Sequence, residues 1–151
     1  MAKLINFGPG EMSDRLTILA LKIHHVTEQG GDPKHFTRER DALLTKIRGQ
    51  NLNAMWFQYV LELGAVNGAL WQATDKLRAL NPGTEAQYVD AGLLGLQILA
   101  WNDHRAELVE KINKETGEHR GSEKVSNGKT LDRSAIKAVD YAEDVIVGTT
   151  K

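Results

Sequence analysis

Apolar residues recur along this chain at steps of three and four, the spacing of a helix that buries one side, and sustained alternation with a period of two is missing. After Phe7-Gly8-Pro9-Gly10, a wide face formed by Met12, Leu16, Leu19, Ile23 and Val26, with Ile18 and Leu21 beside it, predicts a central helix over about 11–28. Gln29-Gly30-Gly31-Asp32-Pro33 ends it, because glycine accepts the left-handed backbone of a helix terminus and Pro33 disfavours helix in the residue before it. A shorter, more polar helix is predicted over about 34–48, burying Phe36, Leu43, Leu44 and Ile47. The strongest pattern follows. Leu52, Trp56, Tyr59, Leu63, Val66, Leu70, Ala73 and Leu77 alternate in steps of four and three, as in a helix packed along its whole length. Asn81-Pro82-Gly83-Thr84 turns the chain into a second long helix over about 85–116, with a seam at Ala91, Leu94, Ile98, Trp101, Arg105, Leu108 and Ile112. The expected architecture is therefore all-α, a helical bundle built on a long antiparallel hairpin, in one domain over 1–151. Polar, glycine-containing residues 117–130 predict a mobile loop. A last helix within 131–148, with Asp132 as N-cap, would bury Ile136, Val139 and Ile146 or reach a neighbouring subunit.

Four glycines lie inside the long helices, Gly64 and Gly68 in one and Gly92 and Gly95 in the other, each costing about 1 kcal/mol relative to alanine. Close approach of another helix would explain them; otherwise they are simply tolerated. Nineteen Lys and Arg against twenty Asp and Glu leave a formal charge of -1, so the chain has none of the basic excess of an extended nucleic-acid binder, and any anion site must be local. The absence of cysteine removes thiolate nucleophiles and zinc-thiolate sites. The opening residues contain no apolar run of the kind a secretory leader needs, and no stretch approaches the length of a membrane span, which predicts a cytoplasmic protein with no membrane partner.

Candidate chemistry gathers on three helices. In the first, Glu11 and Asp14 lie three residues apart and can face one metal ion or one polar substrate, with His25 along the same stripe and Asp103 or His104 as further ligands from another helix. The alternative is an acidic first turn that complements the helix dipole. Lys22 interrupts the apolar run from Leu19 to Ile23. In the first long helix Asn67, Trp71, Asp75 and Arg78 form a polar edge beside the seam, suited to a base or sugar stacked on the indole and a phosphate held by the guanidinium. Equally, Trp71 can be core and Asp75 can pair with Arg78. In the second long helix Arg105, next to Asn102, takes a seam position reserved for an apolar side chain, so it needs a partner: Glu11, Asp14 or Asp75, or a bound anion. His24, His35 and His119 have no evident partners in sequence. Serine elbows, phosphate loops, dinucleotide fingerprints and kinase motifs are absent, and Gly8-Pro9-Gly10 serves equally well as a helix lead-in.

The run from Gly10 to His25 resembles an uncharacterised all-helical family of bacteria and phages, often encoded near glycosyltransferase genes. Its opening motif reads Gly-Glu, then Asp-(Lys/Arg)-Leu-(Ser/Thr)-Ile-Leu, then Lys-Ile. The likeness continues at Leu70-Trp71, Asp75, Arg78, Asn102, Arg105, Ile112 and Asn113, covering roughly residues 10–115. The resemblance implies architecture rather than a reaction, and marks Glu11, Asp14, Lys22, Trp71, Arg78, Asn102 and Arg105 as motif positions. Together these readings favour an oligomeric, non-catalytic protein that needs no cofactor. It would hold a small anionic ligand of nucleotide or nucleotide-sugar type with Lys22, Asn67, Trp71, Arg78, Asn102 and Arg105. In a phage it would sequester a host signalling nucleotide in the host cytoplasm. Two alternatives stand beside it: an enzyme acting on a nucleotide or activated sugar, with Glu11, Asp14 and Asp103 on a divalent metal, and an accessory or structural subunit.

Overall fold

The computed structural model describes residues 8–117; the predicted loop and last helix lie outside the described residues, Gly117 apart. Four helices follow one another, α1 (Pro9–Glu28), α2 (Lys34–Ile47), α3 (Ala54–Ala79) and α4 (Glu85–Glu115), and the described residues contain no strand. The fold is all-α, and no described helix is long and apolar enough to cross a membrane.

Each helix boundary has a local cause. Pro9 occupies the first turn of α1, where its missing N–H costs nothing. At the other end Gly30 takes the left-handed backbone (φ 71°), and its N–H and that of Gly31 donate to Thr27 and Val26 carbonyls at 3.0 and 2.8 Å, a Schellman closure. Asp32 Oδ1 accepts the Lys34 N–H at 2.9 Å, satisfying one of the unpaired donors that open α2. Asn53 caps α3 by accepting the Trp56 N–H at 2.8 Å, so this helix starts at Ala54 and Leu52 precedes it. Thr84 and Gln87 cap α4 reciprocally. The Gln87 N–H donates to Thr84 Oγ1 at 3.4 Å, and Gln87 Oε1 accepts the Thr84 N–H at 3.2 Å.

The described residues fall into two compact units. The first holds residues up to Gly64 together with those from Glu107 onward, and its fully enclosed side chains include Leu19, Leu63, Leu108 and Ile112. Here α1 packs on α2. That contact is more polar than the sequence suggests: Arg15 Nε donates to Glu39 Oε1 at 2.6 Å, and Lys22 Nζ lies 5.4 Å from the Phe36 ring centre. Of the four α2 residues expected in the core only Ile47 is buried, while Leu44 is exposed and Phe36 and Leu43 are half-buried. The second unit, Ala65–Ala106, buries Val66, Asn67, Leu70 and Ala73 from α3. On α4 the seam is not uniformly enclosed. Leu108 and Ile112 are sealed, but Ala91, Leu94, Ile98, Trp101 and Arg105 are half-buried.

Candidate functional site

The opening motif does structural work at the start of α1. Asn113 Oδ1 accepts the Gly10 backbone N–H at 2.7 Å, and Asn113 Nδ2 donates to the two Glu11 carboxylate oxygens at 3.4 and 3.3 Å. The Ser13 hydroxyl donates to the Pro9 carbonyl at 2.7 Å and accepts the Trp56 indole N–H at 3.2 Å. One side chain of α4 thus satisfies a donor that the helix geometry leaves unpaired. The fit leaves no room for a side chain at residue 10, where a Cβ would strike the Val109 carbonyl and stand 2.8 Å from Asn113 Oδ1. A Cβ at residue 8 would lie 2.6 Å from Glu11 Oε2. Gly8-Pro9-Gly10 is therefore a close-packed lead-in, with the Gly10 N–H already taken by protein. Asn113, which no periodicity singles out, is the residue that sequence reasoning missed; its only signal was the motif match beside Ile112.

Further along α1 the charged groups also have protein partners. The Arg15 hydrogen bond holds the Glu39 carboxyl below the usual glutamate range, and the same bond raises Arg15. His24 Nε2 and His25 Nδ1 lie 3.3 and 3.7 Å from the Glu28 carboxylate, so His24, expected to stand alone, has a partner one turn away. His35 meets the Phe36 ring edge-on, with centroids 5.6 Å apart.

The remaining candidate ligand residues share the second unit. Asn67 is 5% exposed in the middle of the apolar α3 seam, and Trp71, Asn102 and Arg105 are half-buried. Asn67, Trp71, Asp103, His104 and Arg105 all interact with other groups of the protein, and the Trp101 and His104 rings are tilted against one another at 6.4 Å. Arg78 differs: its side chain is largely exposed and stands 3.9 Å from Asp75, the i,i+3 pairing open to it from sequence. Lys22 belongs to the first unit, against Phe36. Glu11 and Asp14 lie in the first unit and Asp103 in the second, and no three His, Asp or Glu side chains among the described residues gather as a metal site would require.

Residues 65–106, like the first unit with its buried Asn113 and its exposed Phe57 and Leu61, combine buried polar groups with exposed apolar ones. An amide is buried and a guanidinium half-buried, whereas Tyr88, Val89, Leu93, Leu96 and Leu99 are between 41% and 63% exposed. Burying such polar groups costs about 1–3 kcal/mol each unless they are hydrogen-bonded. Chemically, Asn67, Asn102 and Arg105 offer donors for an anion or a base edge, and Trp71 offers a stacking face. Compared with family models, with curated proteins and with solved structures, the chain matches none.

Proposed function

We propose that this protein binds, without transforming, a small anionic ligand of nucleotide or nucleotide-sugar type. Asn67, Trp71, Asn102 and Arg105 are the residues that hold it. The observation that carries this reading is the placement in one unit of the buried Asn67 amide with the half-buried Trp71, Asn102 and Arg105 side chains. Arg105 supplies the planar donor fork that phosphate recognition favours, and Trp71 the surface on which a base stacks. Arg78 enters this reading only as a flanking charge, exposed beside Asp75, and Lys22, set against Phe36 in the other unit, does not enter it. The same proposal takes α3 and α4 as an antiparallel hairpin within a self-associating bundle. The family resemblance of the opening motif adds the phage setting, in which binding without turnover sequesters a host nucleotide.

Native mass spectrometry of the full chain, purified from cells and then mixed with a panel of nucleoside mono-, di- and triphosphates and nucleotide-sugars, tests it directly. A retained or added mass that is released chemically unchanged is the expected result. Arg105→Met should weaken that binding at least about tenfold, which corresponds to about 1.4 kcal/mol, while the far-ultraviolet circular dichroism keeps its helical signal. A wild-type chain that takes up none of these compounds would overturn the proposal. So would a ligand that is converted on incubation, or an Arg105→Met variant that binds as tightly.

A further inference from the structure

The polar groups that residues 65–106 draw in from solvent carry little positive charge. With histidine neutral, these residues include the cations Lys76, Arg78 and Arg105 and the acids Asp75, Glu85, Asp90 and Asp103, so acids are in excess. Lys76 and Arg78 lie in the last turn of α3 and are exposed, Arg78 standing 3.9 Å from Asp75. Arg105 is therefore the one Lys or Arg among them that is half-buried, and it already interacts with another group of the protein. The other groups of the candidate site, the Asn67 and Asn102 carboxamides and the Trp71 indole, are neutral.

These groups fall into pairs. Asn102 and Arg105 are three residues apart on α4, and Asn67 and Trp71 four apart on α3, so the members of each pair are neighbours on the helix surface. Among the described residues no hydrogen bond or ion pair engages the Asn102 side chain, and neither its oxygen nor its nitrogen is enclosed. A carboxamide presents an acceptor as well as donors, which suits a sugar hydroxyl better than a phosphate oxygen, since the latter only accepts. The guanidinium fork grips two oxygens in parallel. A phosphate esterified on both sides offers it two non-bridging oxygens and a single negative charge. A terminal phosphate carries a third oxygen and about -1.5 to -2 in charge at pH 7. Among residues where acids already exceed bases, that additional charge is poorly matched, and an unmatched charge taken out of water is costly. Resting on the binding reading above, we propose that the ligand's phosphates are all esterified. Its class is a nucleoside diphosphate joined through its terminal phosphate to a sugar, held in preference to free nucleoside di- or triphosphates. Arg105 grips a diester phosphate, Asn102 takes a hydroxyl of the attached sugar, and Trp71 stacks on the base.

Titration calorimetry of the full chain against matched pairs, each a nucleoside diphosphate and its sugar ester, tests this. The members of a pair share base, ribose and phosphate count and differ in the ester on the terminal phosphate. A chelating buffer keeps divalent cations from masking the phosphate charge. The sugar ester should bind at least about tenfold more tightly than the free diphosphate, equivalent to about 1.4 kcal/mol, and the triphosphate more weakly still. Equal binding within the pairs, or a preference for the free di- or triphosphate, would overturn the inference and leave the binding reading standing. Uptake of none of these compounds would overturn both. A variant then asks whether charge sets the preference. Asn102→Lys, which places a second cation beside Arg105, should keep the helical circular dichroism and shrink the difference within a pair about threefold, the effect of one partly exposed charge. A variant that binds with the difference undiminished would overturn the inference as well.

Discussion

The two units treat the same kind of helix differently. Around the start of α1, polar groups are matched to named partners: Gly10 and Glu11 with Asn113, Ser13 with Pro9 and Trp56, Arg15 with Glu39. In residues 65–106 Asn67 and Arg105 also have protein partners, but no residue of α4 between Glu85 and Ala106 is sealed, and Leu93 and Leu99 stay in solvent as Phe57 and Leu61 do in the first unit. α4 passes through both environments, sealed at Leu108 and Ile112 and open at Leu93 and Leu99. A heptad pattern reports which side of a helix faces a neighbour; how completely the neighbour covers it depends on what is packed there, and that changes within a single helix.

Substitutions at matched positions in the two units can break this contrast. The largest effect should come from Gly10→Ala, which drives a methyl group into the Val109 carbonyl and Asn113. Urea denaturation should show a loss of about 1–3 kcal/mol, despite alanine's better helix propensity. The same change at Gly68, where an added Cβ would meet no described atom within 4 Å, should act with the opposite sign, raising stability by about 0.5–1 kcal/mol. If both variants shifted in the same direction, the two regions would not differ in packing as described. The smallest effect sharpens the picture at the α1–α2 contact. Glu39 has a lowered carboxyl pKa, so its contribution is complete above the ordinary glutamate value of 4.5 and fades as the pH falls through the lowered one. Because the pair is substantially exposed, Glu39→Gln should cost at most about 1 kcal/mol at neutral pH. The gap between variant and wild type should close as the pH is taken below 4.5.

Much of the secondary structure was legible. α1, α2 and α4 begin and end within about two residues of the expected positions, because Pro9 and Gly30 act through their own backbone and Asp32, Thr84 and Gln87 through side-chain oxygens that accept nearby N–H groups. Depth of burial was not. Leu43 and Leu44 sit on the apolar side of α2, yet only Ile47 is enclosed, since α2 meets α1 partly through an ion pair and a cation over Phe36. At the candidate site, Asn67 and Arg105 stand out in the sequence as polar groups at or beside seam positions; Asn67 is buried and Arg105 half-buried. Asn113 was illegible because a lone amide beside a seam residue looks like any surface asparagine until the N-terminus of α1 is brought to it. The glycines divide the same way. Those inside the long helices invite a reading of close approach, but among the described residues only Gly64 of these four has a neighbour, Thr17 Cγ2 at 3.8 Å, whereas the tight contacts are at Gly8, Gly10 and Gly31.

The hydrogen bond between Gly10 and Asn113 joins positions 103 apart in sequence, whereas Arg15 and Glu39 are separated by 24. The shorter loop closes at little entropic cost and can form while the rest of the chain is still searching. The longer one needs α1 and the last turns of α4 in place together, and its closure costs about 1 kcal/mol more chain entropy. Where such a contact forms after the folding barrier, its loss shows in the unfolding rate rather than the folding rate, the behaviour of a clasp.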